Sequence, residues 1–525
     1  MTQAQTDSLI EYGSRRVIIT ITVVLCTLLE LIDTTVVNVA TTTLMGNLGA
    51  TISEVSWVVA AYAIANVIVV PMSGWLSSTF GRKYYFAGSV AIFTFSSLMC
   101  GLSNSIWTLV FWRFVQGIGG GALFATSQTI LKEIYPPEKI GMAMAMFGMG
   151  VIVGPTIGPY LGGYLVYNYS WPIIFYINIP IGIIAVFLTL TYIRDNPFEK
   201  KSDASVDWLG IILLIVGIGS LQLVLEQGER NDWFESSYIV MFTVAAIVGI
   251  IGFVIRELTA ENPIVDLRVL KKGNVAIGTI MNFVLGFILY GSVFIYPIYM
   301  QAFLGFTAEK SGEMFIPGAL LSGMLMPVIG MLLTKGMPPK FMITFGFTIT
   351  GAFVYWSSFI FTTNTGADAM FWPLLVRGLG MAFLFVPLSG LTLGGLNGKD
   401  VGQASGISNM VRQIGGSISV AVIGVLNETL SAEHRATILQ HITPDNPLVI
   451  ERINAMKTGL LSATTDVDKA THQALEFLNI SVNRQAAILS YIDIFHYLTL
   501  FIVVSVPLVL LAKTYKINKD MMEGH

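Results

Sequence analysis

Charge, cysteine and histidine are all scarce in this chain, and each scarcity excludes something. Charged residues make up 12% of its 525 residues, where a soluble globular domain carries about a quarter. Two cysteines, Cys26 and Cys100, both sit inside apolar runs, which excludes a disulfide framework and a cysteine metal cluster. The five histidines, His434, His441, His472, His496 and His525, show no metal-ligand spacing with cysteine or with one another. No glycine-rich phosphate loop with a lysine is present, which excludes nucleotide-driven work of the usual kind. Nothing suggests the rings of charge that line a channel. An enzyme reading therefore has nothing to stand on, and the sequence points to no cofactor and no metal. A formal net charge of −3 gives no reason to invoke nucleic acid.

What is there is apolar. Hydrophobic residues make up 54% of the chain, and the mean hydropathy is +0.72. Stretches of about 20 apolar residues occur near 17–39, 55–77, 84–103, 106–128, 141–166, 172–193, 208–226, 238–257, 275–302, 312–334, 341–362, 370–394, 404–426 and 492–513. Fourteen spans, an even number, put both termini on one side of a lipid bilayer. The polar N-terminus has no small-residue cleavage site after the first run, which is expected to be retained. With the N-terminus in the cytoplasm, nineteen basic residues fall in inside segments, against only Arg230 and Lys310 in short outside loops. The termini are expected to be cytoplasmic.

The halves echo each other at an offset near 260 residues: "QGIGGGALF" at 116–124 parallels "RGLGMAFLF" at 377–385, and "GWL" at 74–76 parallels "GML" at 330–332. Such a repeat fits a transporter whose site lies between the halves near the bilayer midplane. The expected organisation is a six-helix bundle over 1–193, two inserted helices with their linkers over 194–272, and a second six-helix bundle over 273–525. Residues 427–491 form a polar outer loop, read either as a solvated connector or as a docking surface for an extracytoplasmic partner. Its tail, "NRQAAILSYIDIFHYL", is expected to extend the last helix outward.

In "LLELIDTTVVNVA", 28–40, Glu30 and Asp33 lie one turn apart on one face of the first span. A rise of 1.5 Å per residue from Val17 places Glu30 roughly 20 Å into the bilayer, in the outer part of the span. Acids at such depth cost about 2.5–3.5 kcal/mol on insertion scales and face a cavity or a partner. Sharing a face, they are expected to titrate as a unit. A carboxylate that gains and loses a proton suits a proton-driven carrier, and when ionised it can pair with a cationic substrate. The competing reading has Asp33 capping local structure near the outer end of the helix through Thr34 or Thr35.

This stretch resembles the first-helix motif of the fourteen-helix drug:proton antiporters of the major facilitator superfamily, the EmrB/QacA-like group. The usual apolar residue and proline after Ala40 are replaced by Thr41 and Thr42. "GWLSSTFGRKYYF", 74–86, resembles the superfamily signature between the second and third helices, matching at Gly74, Leu76, Gly81, Arg82 and Lys83. It departs at Ser78, where the family has an acid that helps latch the cytoplasmic gate, and at Thr79, where it has arginine. "LVFWRFVQGIGGGA", 109–122, matches a third motif at Leu109, Arg113, Gln116, Gly117 and Gly119. The resemblance implies that Arg113 takes part in proton coupling beside a carboxylate, although a buried guanidinium can also be purely structural.

"GMGVIVGPTIGPYLGG", 148–163, carries small residues at Gly150, Gly154 and Gly158 that make a flat packing ridge, with Pro155 and Pro159 expected to bend the helix. It resembles the antiporter motif that separates exporters from importers, with Pro159 in place of the last glycine. "WPIIFYINIPIG" (171–182), "VDWLG" (206–210), "NPIVDLRVL" (262–270) and "SNMVRQIGG" (408–416) complete the likeness, the last contributing Asn409 and Arg412. Arg412 is either functional or a helix brace. Tyr62, Asn66, Asn178, Asn282, Tyr290, Tyr296 and Gln301 are candidate cavity residues, the aromatics suiting lipophilic cations.

The resemblance implies an all-α polytopic membrane protein of the major facilitator fold, two six-helix bundles plus two inserted helices, exporting lipophilic and often cationic compounds in exchange for protons. Export of a siderophore, fatty acid or other metabolite, or carriage without proton coupling, remains open. It implies an inner-membrane location and, in a Gram-negative envelope, a periplasmic adaptor and an outer-membrane channel.

Overall fold

A computed structural model describes residues 10–136, 139–195, 206–272, 274–396, 398–461 and 466–512. Lys200, Lys201, Lys513, Lys516 and Lys519, counted above for sidedness, lie outside the described residues. The described chain is helical with no strand, as lipid requires: without water, backbone groups must be satisfied within the segment.

Thirteen helices are long and apolar enough to cross a membrane. They are α1 Gly13–Leu48, α2 Ile52–Phe80, α3 Arg82–Gly101, α5 Ile140–Asn168, α6 Ile173–Tyr192, α7 Trp208–Gln227, α8 Ser237–Thr259, α9 Val275–Ala302, α10 Glu309–Thr334, α11 Pro339–Ile360, α12 Ala367–Leu393, α13 Lys399–Gln440 and α14 Val467–Leu510. The fourteenth long helix, α4, spans Ile106–Ile134 and packs against α2 and α3. It is absent from the apolar set, and it carries the buried Arg113, Gln116 and Gln128.

Several helices outrun their expected spans. α1 has 36 residues, about 54 Å of helix, so Glu30 and Asp33 lie at its middle rather than toward its outer end. The reason is that "TTTLMGNL" continues the helix until Gly49 ends it in a left-handed conformation at φ 60°. Residues 427–491 are not a loop: α13 runs on to Gln440, a separate helix spans Pro447–Leu461, and α14 begins at Val467. His434 and Asp493 pair at 2.7 Å and Arg435 bonds Asn483 at 2.7 Å, which ties the extensions of α13 and α14 together. α5 stays one continuous helix through Pro155 and Pro159.

One end of the structure gathers basic residues and is called the basic end here. The Arg15 guanidinium at the start of α1 donates to the Tyr192 carbonyl at the end of α6 at 2.7 Å, Arg82 pairs with Glu133, and Lys272 pairs with Asp400 at 2.6 Å. The halves touch along α2 with α13 and α5 with α10. At Gly74 a side chain would lie 2.9 Å from the Gly402 backbone, so the second-helix signature glycine is what lets α2 and α13 meet at this end.

The inserted pair crosses at Gly217 and Gly249, next to a π turn at Ile215–Gly219. Asp207 caps α7 and pairs with Arg256 of α8 at 2.9 Å. Burial alone would raise its carboxyl pKa, but the Arg256 partner and the Gly210 N–H hold it below the ordinary value. Gln222 of α7 donates to Ser417 of α13 at 2.8 Å, and Ser56 of α2 lies 3.3 Å from Gln227.

Candidate functional site

α1 delivers Asp33 to a fully buried polar cluster. Arg113 Nη1 donates to Asp33 Oδ2 and to Gln116 Oε1 at 2.8 Å, while its Nε donates to the Val58 carbonyl at 3.2 Å. Gln116 Nε2 and Asn178 Nδ2 each donate to Asp33 Oδ1 at 2.9 Å. Ser97 Oγ accepts from both amides, at 3.2 Å and 2.9 Å. The Arg113 guanidinium lies 4.2 Å from the Tyr62 ring centroid. Four helices thus converge on one carboxylate, and the capping alternative for Asp33 is set aside because Thr34 and Thr35 bond their own helix carbonyls instead.

Glu30 is also buried, but its partners differ. Asn66 Nδ2 donates to Glu30 Oε1 at 3.2 Å, and Gln413 Nε2 of α13 donates to Asn66 Oδ1 at 2.9 Å. Glu30 Oε2, Tyr62 OH and Asn178 Oδ1 have no hydrogen-bond partner among the described residues. The two acids share a face without sharing a partner: Asp33 is held within the first half, whereas Glu30 is linked through Asn66 to the second. Arg412 is buried with its guanidinium 4.3 Å from Phe124 and 5.5 Å from Phe385. Among the described residues it forms no ion pair.

The small residues singled out above act by closeness. Side chains added at Gly150, Gly154 and Gly158 would meet Val24, Leu31 and Thr35 of α1, so the ridge beside Pro155 seats the helix that carries both acids. Gly117 would meet the Tyr62 carbonyl at 2.5 Å, bringing α4 onto α2. In the basic-end motif, Gly81 takes φ 85° before α3 and the Lys83 N–H donates to Asp195 Oδ1 at 2.8 Å. Asn409 donates to Gln128 Oε1 at 3.2 Å, one turn before the Gln413 that reaches Asn66. Asn282 bonds the Gly278 carbonyl at 2.9 Å and Tyr296 bonds Ser357, and neither hydrogen-bonds Glu30 or Asp33 among the described residues. Gln301 is exposed. Tyr290 packs beside Gly416, one turn from Arg412.

Sequence reasoning missed Ser97, Gln413, Glu133 and Asp195. The last two are acids near helix ends whose partners lie far along the chain. Ser97 and Gln413 carry no signal beyond facing inward, and Gln413 could have been found only as the neighbour of Arg412 in "SNMVRQIGG".

Residues 23–420 match the family model described as Major Facilitator Superfamily. The chain is 35% identical over 483 residues to the multidrug export protein EmrB of Escherichia coli K12, covering 92% of each. It is 33% identical over 496 residues to the fatty acid resistance protein FarB of Neisseria gonorrhoeae, covering 94% of this chain and 96% of that one. Among solved structures, the proton:xylose symporter XylE bound to a bromo-deoxyglucose superposes with a TM-score of 0.60 at 15% identity, covering 95% of this chain and 99% of that one.

Proposed function

The chain belongs to the Major Facilitator Superfamily and its EmrB-like multidrug export group, a transporter rather than an enzyme, and from that premise we propose a proton-coupled exporter of lipophilic, often cationic compounds. The observation that carries this reading is Asp33, buried against Arg113, Gln116 and Asn178, beside Glu30, one of whose oxygens has no hydrogen-bond partner among the described residues. A proton from the outer side neutralises the acids, which loosens Arg113 from Asp33. The bundles at 1–193 and 273–525 rock about the site, with 194–272 riding between them. The proton leaves to the cytoplasm as substrate binds. Each elementary charge moving inward at 100 mV contributes about 2.3 kcal/mol. Exchange of one proton for one monovalent cation cancels that electrical drive, and a second carboxylate allows a second proton.

A second reading is favoured by Arg412, a guanidinium clasped by two aromatic rings that forms no direct ion pair among the described residues. It suits a carboxylate-bearing amphiphile such as a fatty acid, and the relative FarB is named for fatty acid resistance. This reading puts the protein in an inner membrane, in keeping with its multi-pass character. α13 and α14, at 42 and 44 residues, are each about 65 Å long against about 30 Å of hydrocarbon. Their tied extensions are the surface offered to a periplasmic adaptor and, through it, an outer-membrane channel.

The test is substrate-induced proton movement in liposomes with an imposed pH gradient, comparing wild type, Asp33→Asn and Glu30→Gln. Ethidium dissipates the gradient in wild type, and Asp33→Asn abolishes this while still binding ethidium. Proton-independent ethidium movement in wild type rejects antiport, and dissipation by a fatty acid alone selects the second reading.

A further inference from the structure

The signature loop of this chain has Ser78 where an acid is expected to help latch the basic end, yet the two halves are joined there. The joining contacts come from the last two turns of α4. Gln128 Nε2 donates to Ser389 Oγ of α12 at 3.2 Å, and its Oε1 accepts from Ser405 Oγ at 2.6 Å and Asn409 Nδ2 at 3.2 Å, both on α13. One turn later, Lys132 Nζ donates to the carbonyl of Leu393, the last residue of α12, and to the carbonyl of Leu396 just beyond it, the latter at 2.7 Å. The neighbouring Glu133 faces the other way, to Arg82 at the start of α3.

These contacts have a symmetry. Lys132 to Leu393 and Gln128 to Ser389 are each separated by 261 residues, the same offset by which "QGIGGGALF" matches "RGLGMAFLF". A residue that touches its own repeat equivalent lies on the pseudo-two-fold axis between the halves. On that axis a second lysine in place of Leu393 would repel Lys132. The chain instead opposes a cation to a helix C-terminus, whose last carbonyls lack intrahelical partners and carry the negative end of the dipole.

We propose that Lys132, seconded by Gln128, is the latch that holds the basic end of the two halves closed by capping the C-terminus of α12. The energetics suit a gate. Among the described residues Lys132 pairs with no carboxylate, so parting the halves leaves no buried charge unpaired: ammonium and carbonyls both regain water. A charge-assisted contact of this kind biases the equilibrium toward closure by about tenfold or more, which a substrate or proton can overcome. Lys132 is a positioning residue, acting on the conformational equilibrium and touching no substrate. The inference rests on the alternating-access reading above.

The test places spin labels at Lys139→Cys and Lys399→Cys, exposed on different halves, since Cys26 and Cys100 are buried. Distances are measured by pulsed electron resonance in liposomes, with and without ethidium at two pH values. Wild type gives a short and a long population at this end. Lys132→Met raises the long-to-short ratio about tenfold, and Lys132→Arg returns it toward wild type. Two populations in wild type with an unchanged ratio in Lys132→Met overturn the latch alone. One invariant distance in wild type overturns alternating access and the latch with it. Should Lys132→Met fail to accumulate, Gln128→Leu is measured instead, with the same opposed outcomes.

Discussion

Asp33 and Arg113 form an ion pair with relative exposures of 0% and 1%, although 80 residues separate them in the chain. Two opposite charges taken wholly out of water stabilise one another only while both are present. Removing one partner of such a pair costs about 3–5 kcal/mol, because the survivor is left buried and uncompensated.

Arg113→Gln and Asp33→Asn are therefore each expected to unfold at markedly lower temperature in detergent than wild type. The double variant Asp33→Asn with Arg113→Gln should recover much of that loss while remaining unable to transport. A thermal unfolding series over the single and double variants checks this. Equal and additive losses would show the two charges to be independent.

Glu30→Gln keeps an oxygen to accept the Asn66 amide and removes only the charge. It should fold as wild type and export neutral lipophiles, with at least a tenfold loss for monovalent cations. Parallel efflux assays with a cationic and a neutral dye decide it, and an equal loss for both would take Glu30 out of substrate recognition.

Gly154→Val sets a branched side chain against Leu31, where even a single Cβ would lie 2.8 Å from the Leu31 Cβ. Overpacking of this kind typically costs about 1–3 kcal/mol. Because α1 carries both acids, transport should fall further than stability does. The comparison is efflux rate at matched folded protein, read against melting temperature.

Asp207 caps α7 and pairs with Arg256, and its carboxyl pKa is held below the ordinary value. A carboxylate depressed on folding contributes stability that is present above its unfolded pKa and disappears as pH falls through its folded one. Wild type should thus lose stability relative to Asp207→Asn as pH is lowered through the acid range, the two curves converging at the bottom. Melting temperatures of both proteins from neutral pH downward test it.

Much of this architecture is legible because lipid imposes simple rules. Long apolar runs name the helices, and the scarcity of inward-facing charge makes Asp33, Glu30 and Arg113 conspicuous. Helix α4 shows where hydropathy weakens: Gln116, Gln128 and Arg113 dilute its apolar run because its inward face carries the polar work, and the run near 106–128 is reinforced by the motif that contains it. Residues 427–491 read as a loop because helix outside lipid needs no apolar run. Helix face alone cannot tell that Glu30 and Asp33 serve different partners, since those partners arrive from α2, α4 and α6. Lys132 counts in the sequence only as one more cytoplasmic charge. Its second role appears once α12 ends beside it.

The unbroken course of α13 and α14 has a mechanical consequence. Each is a single rod about twice as long as the hydrocarbon core of a bilayer is thick, and the pair is pinned by His434 with Asp493. A rigid lever of about 30 Å, tilted by about 10°, sweeps its tip through about 5 Å. On the alternating-access reading proposed above, a small rotation of the second half is thereby magnified at the tip, far from the site where it begins.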